Sequence, residues 1–113
     1  MSREVELPLR AKLNEETGQV PWTSLLPFFA RGDVIAVADD LNLLDVAVAV
    51  AEDRAAEIDR WMADARIGPV SDDQAKTWHN SEAEVWAVVV RPWVLVQSAS
   101  AREGAPGPSN ESA

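Results

Sequence analysis

The chain has 113 residues, enough for one domain, and its 47% hydrophobic and 26% charged content is that of an ordinary water-soluble protein. A formal net charge of −9 and an isoelectric point near 4.4 oppose binding to a phosphate backbone, and the ten Lys and Arg residues are scattered, so no nucleic-acid role is expected. Cysteine is absent, which excludes disulfides, thiolate chemistry and Cys-based metal centres. No stretch has the apolar length of a signal peptide or a membrane span. The expectation is a bacterial, cytoplasmic, acidic protein without a membrane partner.

Leu9 and Leu13, with Val5 before them, recur at spacing four and predict a short amphipathic helix from Pro8 to Thr17, ended by Gly18. Pro21-Trp22 leads into a second helix, with Thr23 or Ser24 as N-cap and Leu25, Leu26, Phe28 and Phe29 as its apolar face. Pro27 is tolerated in the first turn, and Gly32 is the expected left-handed C-terminal cap after Arg31. Val34 to Ala38 is a continuous apolar run and reads as a buried strand. Leu43 to Ala51 alternates Val and Ala in strand fashion but also keeps helical spacing. It is read as a helix capped by Asn42.

Asp53 is the expected cap of the next helix, Arg54 to Arg66, with Ile58, Trp61, Met62 and Ala65 in one stripe. Ile67-Gly68-Pro69-Val70 reads as a break. Ser71 to Gln74 is a capping-box pattern opening a two-turn helix that carries Ala75 and Trp78 and stops at Asn80.

Glu84 to Gln97 holds the densest set of β-branched and aromatic residues in the chain. At period two, Trp86, Val88, Val90, Val94 and Val96 share one face, and Ala87, Val89, Trp93 and Leu95 share the other. A strand apolar on both faces needs cover on both, so Val89 and Val94 are expected in the core. A two-residue hairpin at Arg91-Pro92 would need positive φ, which proline does not adopt. One strand bent at Pro92, or two short strands set edgewise there, is the expectation. Ser98 to Ala113 has almost no large apolar residue and reads as a flexible tail.

The pieces Leu13 to Thr17, Pro21-Trp22, Phe29 to Gly32, Ala51 to Asp53, Val70 to Ala75 and, above all, Trp86 to Gln97 resemble the bacterial family catalogued as domain of unknown function 2288. The resemblance runs from about Leu9 to Gln97 and implies a small soluble single domain of this length. It carries no activity, ligand or catalytic residue across.

The acidic positions Asp39-Asp40, Asp45, Glu52-Asp53 and Asp72-Asp73 suit a hard cation in residue type but lack the loop spacing of an EF-hand, and each has a local role as cap or first-turn charge. His79, the one histidine, stands at a helix C-terminus without a nucleophile motif around it. The five tryptophans, in a chain without tyrosine, are the unusual feature, because indole is enriched at binding surfaces. Trp86 and Trp93 are assigned to the core on opposite strand faces, whereas Trp22 and Trp78 flank breaks and are the candidates for exposure. Arg31 and Arg91 each follow an apolar run and are expected at one end of the sheet near Asp33 or Glu52, as ion pairs or as an anion pocket.

The sequence therefore predicts a single small α+β domain over residues 1–97, with about five short helices on a minimal sheet built near 33–38 and 84–97, and a tail over 98–113. The expected ligand- or partner-binding residues are Trp22, Arg31, Trp78 and Arg91. No catalytic residue, metal ligand or cofactor is assigned. The functional expectation is a soluble cytoplasmic, non-enzymatic module that takes a protein or small-molecule ligand in a Trp-containing groove. The alternative is a small enzyme using acidic residues, with or without a divalent metal.

Overall fold

In the computed structural model, residues 2–99 are described, with side chains from residue 8 onward. The β-rich stretch is a hairpin: β4 (Glu84–Val90) and β5 (Trp93–Ser98) pair antiparallel across the two residues Arg91 and Pro92. This corrects the bent-strand expectation. The Arg91–Pro92 peptide is cis, and a turn with cis proline in its third position needs no positive φ.

The hairpin also inverts the expected phase. Because Val90 faces Trp93 and Val88 faces Leu95, the side chains of Trp86, Val88, Val90, Trp93, Leu95 and Gln97 share one face. Val85, Ala87, Val89, Val94 and Val96 share the other. Trp86 and Trp93 are thus on the same face, not on opposite ones.

Three further strands extend this hairpin into a five-stranded sheet of order β1-β4-β5-β2-β3. Strand β2 (Val34–Val37) pairs parallel with β5, Val34 opposite Val94, and the Val94 N–H donates to the Asp33 carbonyl at 2.9 Å. Two edge strands were not expected from the sequence. Strand β1 (Gly18–Pro21) pairs antiparallel with β4, and β3 (Ile67–Pro69), in the predicted break, pairs antiparallel with β2. Both carry Gly and Pro, which edge positions tolerate because half of their backbone groups need no strand partner.

Helices cover both faces of the sheet. On one, α1 (Ser2–Glu16), α3 (Leu43–Ala51) and α4 (Ala55–Ala63) bury Leu13, Leu43, Val46 and Val48 against Val37, Ile67, Val88, Val90 and Leu95. On the other, a 3-10 turn (Trp22–Leu25), α2 (Leu26–Arg31) and α5 (Asp72–Asn80) bury Trp22, Leu25, Ala75 and Trp78 against Val34, Val85, Ala87, Val94 and Val96. Among the described residues the fold is α+β, five α-helices on a five-stranded sheet. No helix among the described residues is long and apolar enough to cross a membrane. Residues 100–113, most of the predicted tail, lie outside the described residues, as does the Val5 side chain.

Local chemistry sets the helix ends. Asn42 Oδ1 accepts from the N–H groups of Leu44 (2.8 Å) and Asp45 (3.3 Å), and this cap resolves the 43–51 ambiguity in favour of the helix. Ser71 Oγ accepts from the Gln74 N–H at 3.1 Å and starts α5. Neither Thr23 nor Ser24 caps α2; both lie within the 3-10 turn before it. Asp53 does not cap α4 either. It takes φ +57° and closes α3, while the Arg54 N–H reaches back to the Ala49 carbonyl and the Asp53 N–H to that of Val50.

The same doubly bonded ending recurs after α2, α4 and α5, at Gly32 (φ +81°), Ala65 (φ +61°) and Glu82 (φ +53°). Gly32 is therefore the left-handed cap that its sequence position predicts. The other three helix ends place an L-residue in a conformation that costs about 1–2 kcal/mol.

Val94 is 2% exposed and Val89 is 51% exposed, which overturns the expectation that both are core. Val94→Ala should lower the unfolding free energy by about 2 kcal/mol, and Val89→Ala by under about 1 kcal/mol, in urea titrations. Equal losses would contradict the unequal burial of the two residues. Ala65→Gly should stabilise the protein by about 0.5–1 kcal/mol, relief of left-handed strain outweighing the added freedom of the unfolded chain. Gly32→Ala, where a new Cβ would meet nothing within 4 Å, should cost about 1 kcal/mol through the backbone alone.

Candidate functional site

Two of the four exposed large apolar side chains among the described residues meet where the hairpin turn leaves its helical cover. Met62 is 52% and Trp93 37% exposed, and both border a groove of about 410 Å³. The groove lies on the α3–α4 face of the sheet. Its floor is Ile35, Ile67 and Leu95 from three adjacent strands, and Val50 and Ile58 form the helical wall. Trp93 and Pro92 close the hairpin side, and the exposed charged residues Arg91 and Asp53 stand on the rim. The groove thus pairs a continuous apolar floor with one cation and one anion. Its size and lining fall within the range of small-molecule sites.

The groove exists because β5 begins at the turn. The hairpin fixes Trp93 opposite Val90 and hence on the helix-covered face, but α3 and α4 do not close over it. Gln97, 1% exposed, clips the far end of the same strand: its amide donates to the carbonyls of Ala38 (2.8 Å) and Leu41 (2.7 Å). This pair of bonds fixes the loop that leads into Asn42 and α3, so the helical wall has a defined position relative to the strand floor.

The four side chains proposed from the sequence are distributed over both faces. Trp22 and Trp78 come together, ring centroids 5.1 Å apart, but inside the core under α2 and α5, where Trp22 is 1% exposed. Phe29 meets Trp22 edge-on at 5.5 Å. A shallower depression of about 320 Å³ beside Trp22, Phe29 and His79 receives little of the Trp22 surface. Arg31 binds Asp33 at 3.2 Å and lies over the Phe28 ring at 4.9 Å, so its charge is already engaged. Arg91 forms no ion pair or side-chain hydrogen bond among the described residues and borders the groove. Sequence reasoning missed Trp93, Met62 and Ile58. A hairpin reading of Arg91-Pro92 would have placed Trp93 at the turn and pointed to them.

The acidic residues are dispersed into separate contacts. Asp45 pairs with Arg10 (2.8 Å), Asp40 with Arg66 (2.8 Å), and Glu52 with the Arg54 Nε (2.9 Å), while Asp72 and Asp73 occupy the first turn of α5. Among the described residues, no three of His, Asp and Glu gather into a group that could hold a metal ion.

The chain is similar to the solution structure determined by NMR of PA1075 from Pseudomonas aeruginosa, with 39% identity and a TM-score of 0.72 over 81% of this chain and 85% of that one. No curated protein matches it. The family described as "Protein of unknown function (DUF2288)" matches residues 8–98, nearly all of the two helical layers and the sheet between them, and the chain belongs to that family.

Proposed function

We propose that this is a cytoplasmic, non-enzymatic binding module whose Trp-containing groove is the one beneath the Arg91–Pro92 turn. The observation that supports this reading most is the exposed pair Trp93 and Met62 bordering a concave apolar floor of Ile35, Ile67 and Leu95. Exposed apolar side chains scattered singly need no explanation, but a concave group of them loses its hydration cost when a ligand fills it. The indole of Trp93 adds a flat contact face and one N–H donor at low conformational cost. The charged groups among its described lining residues, Arg91 and Asp53, suit orientation of a ligand.

Titration with 1-decanol, an uncharged apolar probe, should produce saturable shifts in the Trp93 indole and the Ile35 and Ile58 methyl resonances. Trp22 and Trp78 should be unaffected. Met62→Glu should weaken binding about fivefold while leaving the thermal midpoint in place, because Met62 is half-exposed. Shifts centred on Trp22 and Trp78 would move the site to the other face. The absence of any saturable shift would contradict a binding groove.

A further inference from the structure

We infer that the ligand is a small amphipathic carboxylic acid whose apolar chain lies on the groove floor and whose carboxylate meets Arg91. The inference rests on the groove being a binding site, and it adds the chemistry of the occupant. Arg91 is the cation on the groove lining, and among the described residues it is committed to no carboxylate. Among the described residues Arg10, Arg31, Arg54 and Arg66 each pair with an acid, and Arg60, which does not, lies away from the groove lining. The Arg91 guanidinium therefore retains its planar fork of donors, which matches a carboxylate or phosphate in bidentate fashion.

Charge selects between those two anions. Asp53 stands on the same rim, and the chain carries a formal net charge of −9. One arginine neutralises one negative charge. A phosphate monoester would bring nearly two, and the second would face Asp53 and the acidic field without a partner. A carboxylate monoanion leaves no such excess. The apolar part follows from the floor and the helical wall: Ile35, Ile67 and Leu95, with Ile58 beside them, offer no polar side-chain group, so an acyl or aryl body loses nothing by leaving water there. A groove of about 410 Å³ suits a medium-length chain. The ligand is thus oriented, with its acid at the turn and its chain running under Trp93 toward Met62.

Isothermal titration with decanoate, 1-decanol and decyl phosphate tests this on the full chain, comparing wild type with Arg91→Gln. Arg91 is exposed at the turn, so the variant should fold with an unchanged thermal midpoint. Arg91→Gln should weaken decanoate about five- to tenfold and change decanol affinity less than about twofold. Wild type should bind decyl phosphate no more tightly than decanoate. If decanol binds and the variant weakens both ligands equally or neither, the carboxylate assignment fails while the groove stands. Tighter binding of decyl phosphate would overturn the choice of monoanion. If neither decanoate nor decanol binds, the groove itself is not a site, and this inference falls with it.

Discussion

Strand β5 is buried on both faces, and the rest of the molecule is arranged to keep it so. Val94 and Val96 face one helical layer, Leu95 and Gln97 the other, and β4 and β2 occupy its two hydrogen-bonding edges. A single strand cannot satisfy these demands from its own neighbourhood in sequence. Antiparallel β4 comes through a two-residue turn, whereas parallel β2 comes from more than fifty residues earlier in the chain. Between them the chain must cross over through helices, and those crossings supply the cover on each face. The buried Gln97 amide, donating to two loop carbonyls, ties the crossover loop to the strand it serves. A buried amide without those acceptors would be costly, so the bonds fix one arrangement of loop and strand.

The proposed site is a consequence of where that cover stops. Trp93 begins β5 on the helix-covered face, but it lies at the turn, beyond full enclosure by α3 and α4. An indole in that position is exposed and borders the groove without joining the core. The floor beneath it is the end of the same apolar face, so a ligand there would continue the packing of the core outward. Arg91 and Asp53 are held at its margin by backbone features, a tight turn and a left-handed helix ending, instead of by long flexible loops. Such placement limits the ordering cost of binding.

Much of the fold was legible in the sequence where local chemistry decides it. Asn42, Ser71 and Gly32 mark helix ends through their own hydrogen bonds or backbone freedom, and the structure places all three as expected. Strand β2 and the apolar character of residues 84–97 were equally plain from their β-branched content. The hairpin was not legible, because the argument against it covered turns that require positive φ and not those built on cis proline. That one omission reversed the phase of β5. It also hid Trp93, assigned to the core, which borders the groove; Trp22 and Trp78, expected at the surface because they flank breaks, are core on the other face. The edge strands β1 and β3 were hidden for a different reason. A three- or four-residue edge carrying Gly and Pro has neither apolar alternation nor length to mark it.

The most direct test of this account is a set of nuclear Overhauser contacts from the Trp93 indole in the wild-type protein. Contacts to Ile58 and Met62, together with cross-strand contacts between Val88 and Leu95, are the predicted result. Contacts from Trp93 to Val85, Ala87 or the Trp22 ring would place it on the opposite face, and would contradict both the hairpin register and the groove built upon it.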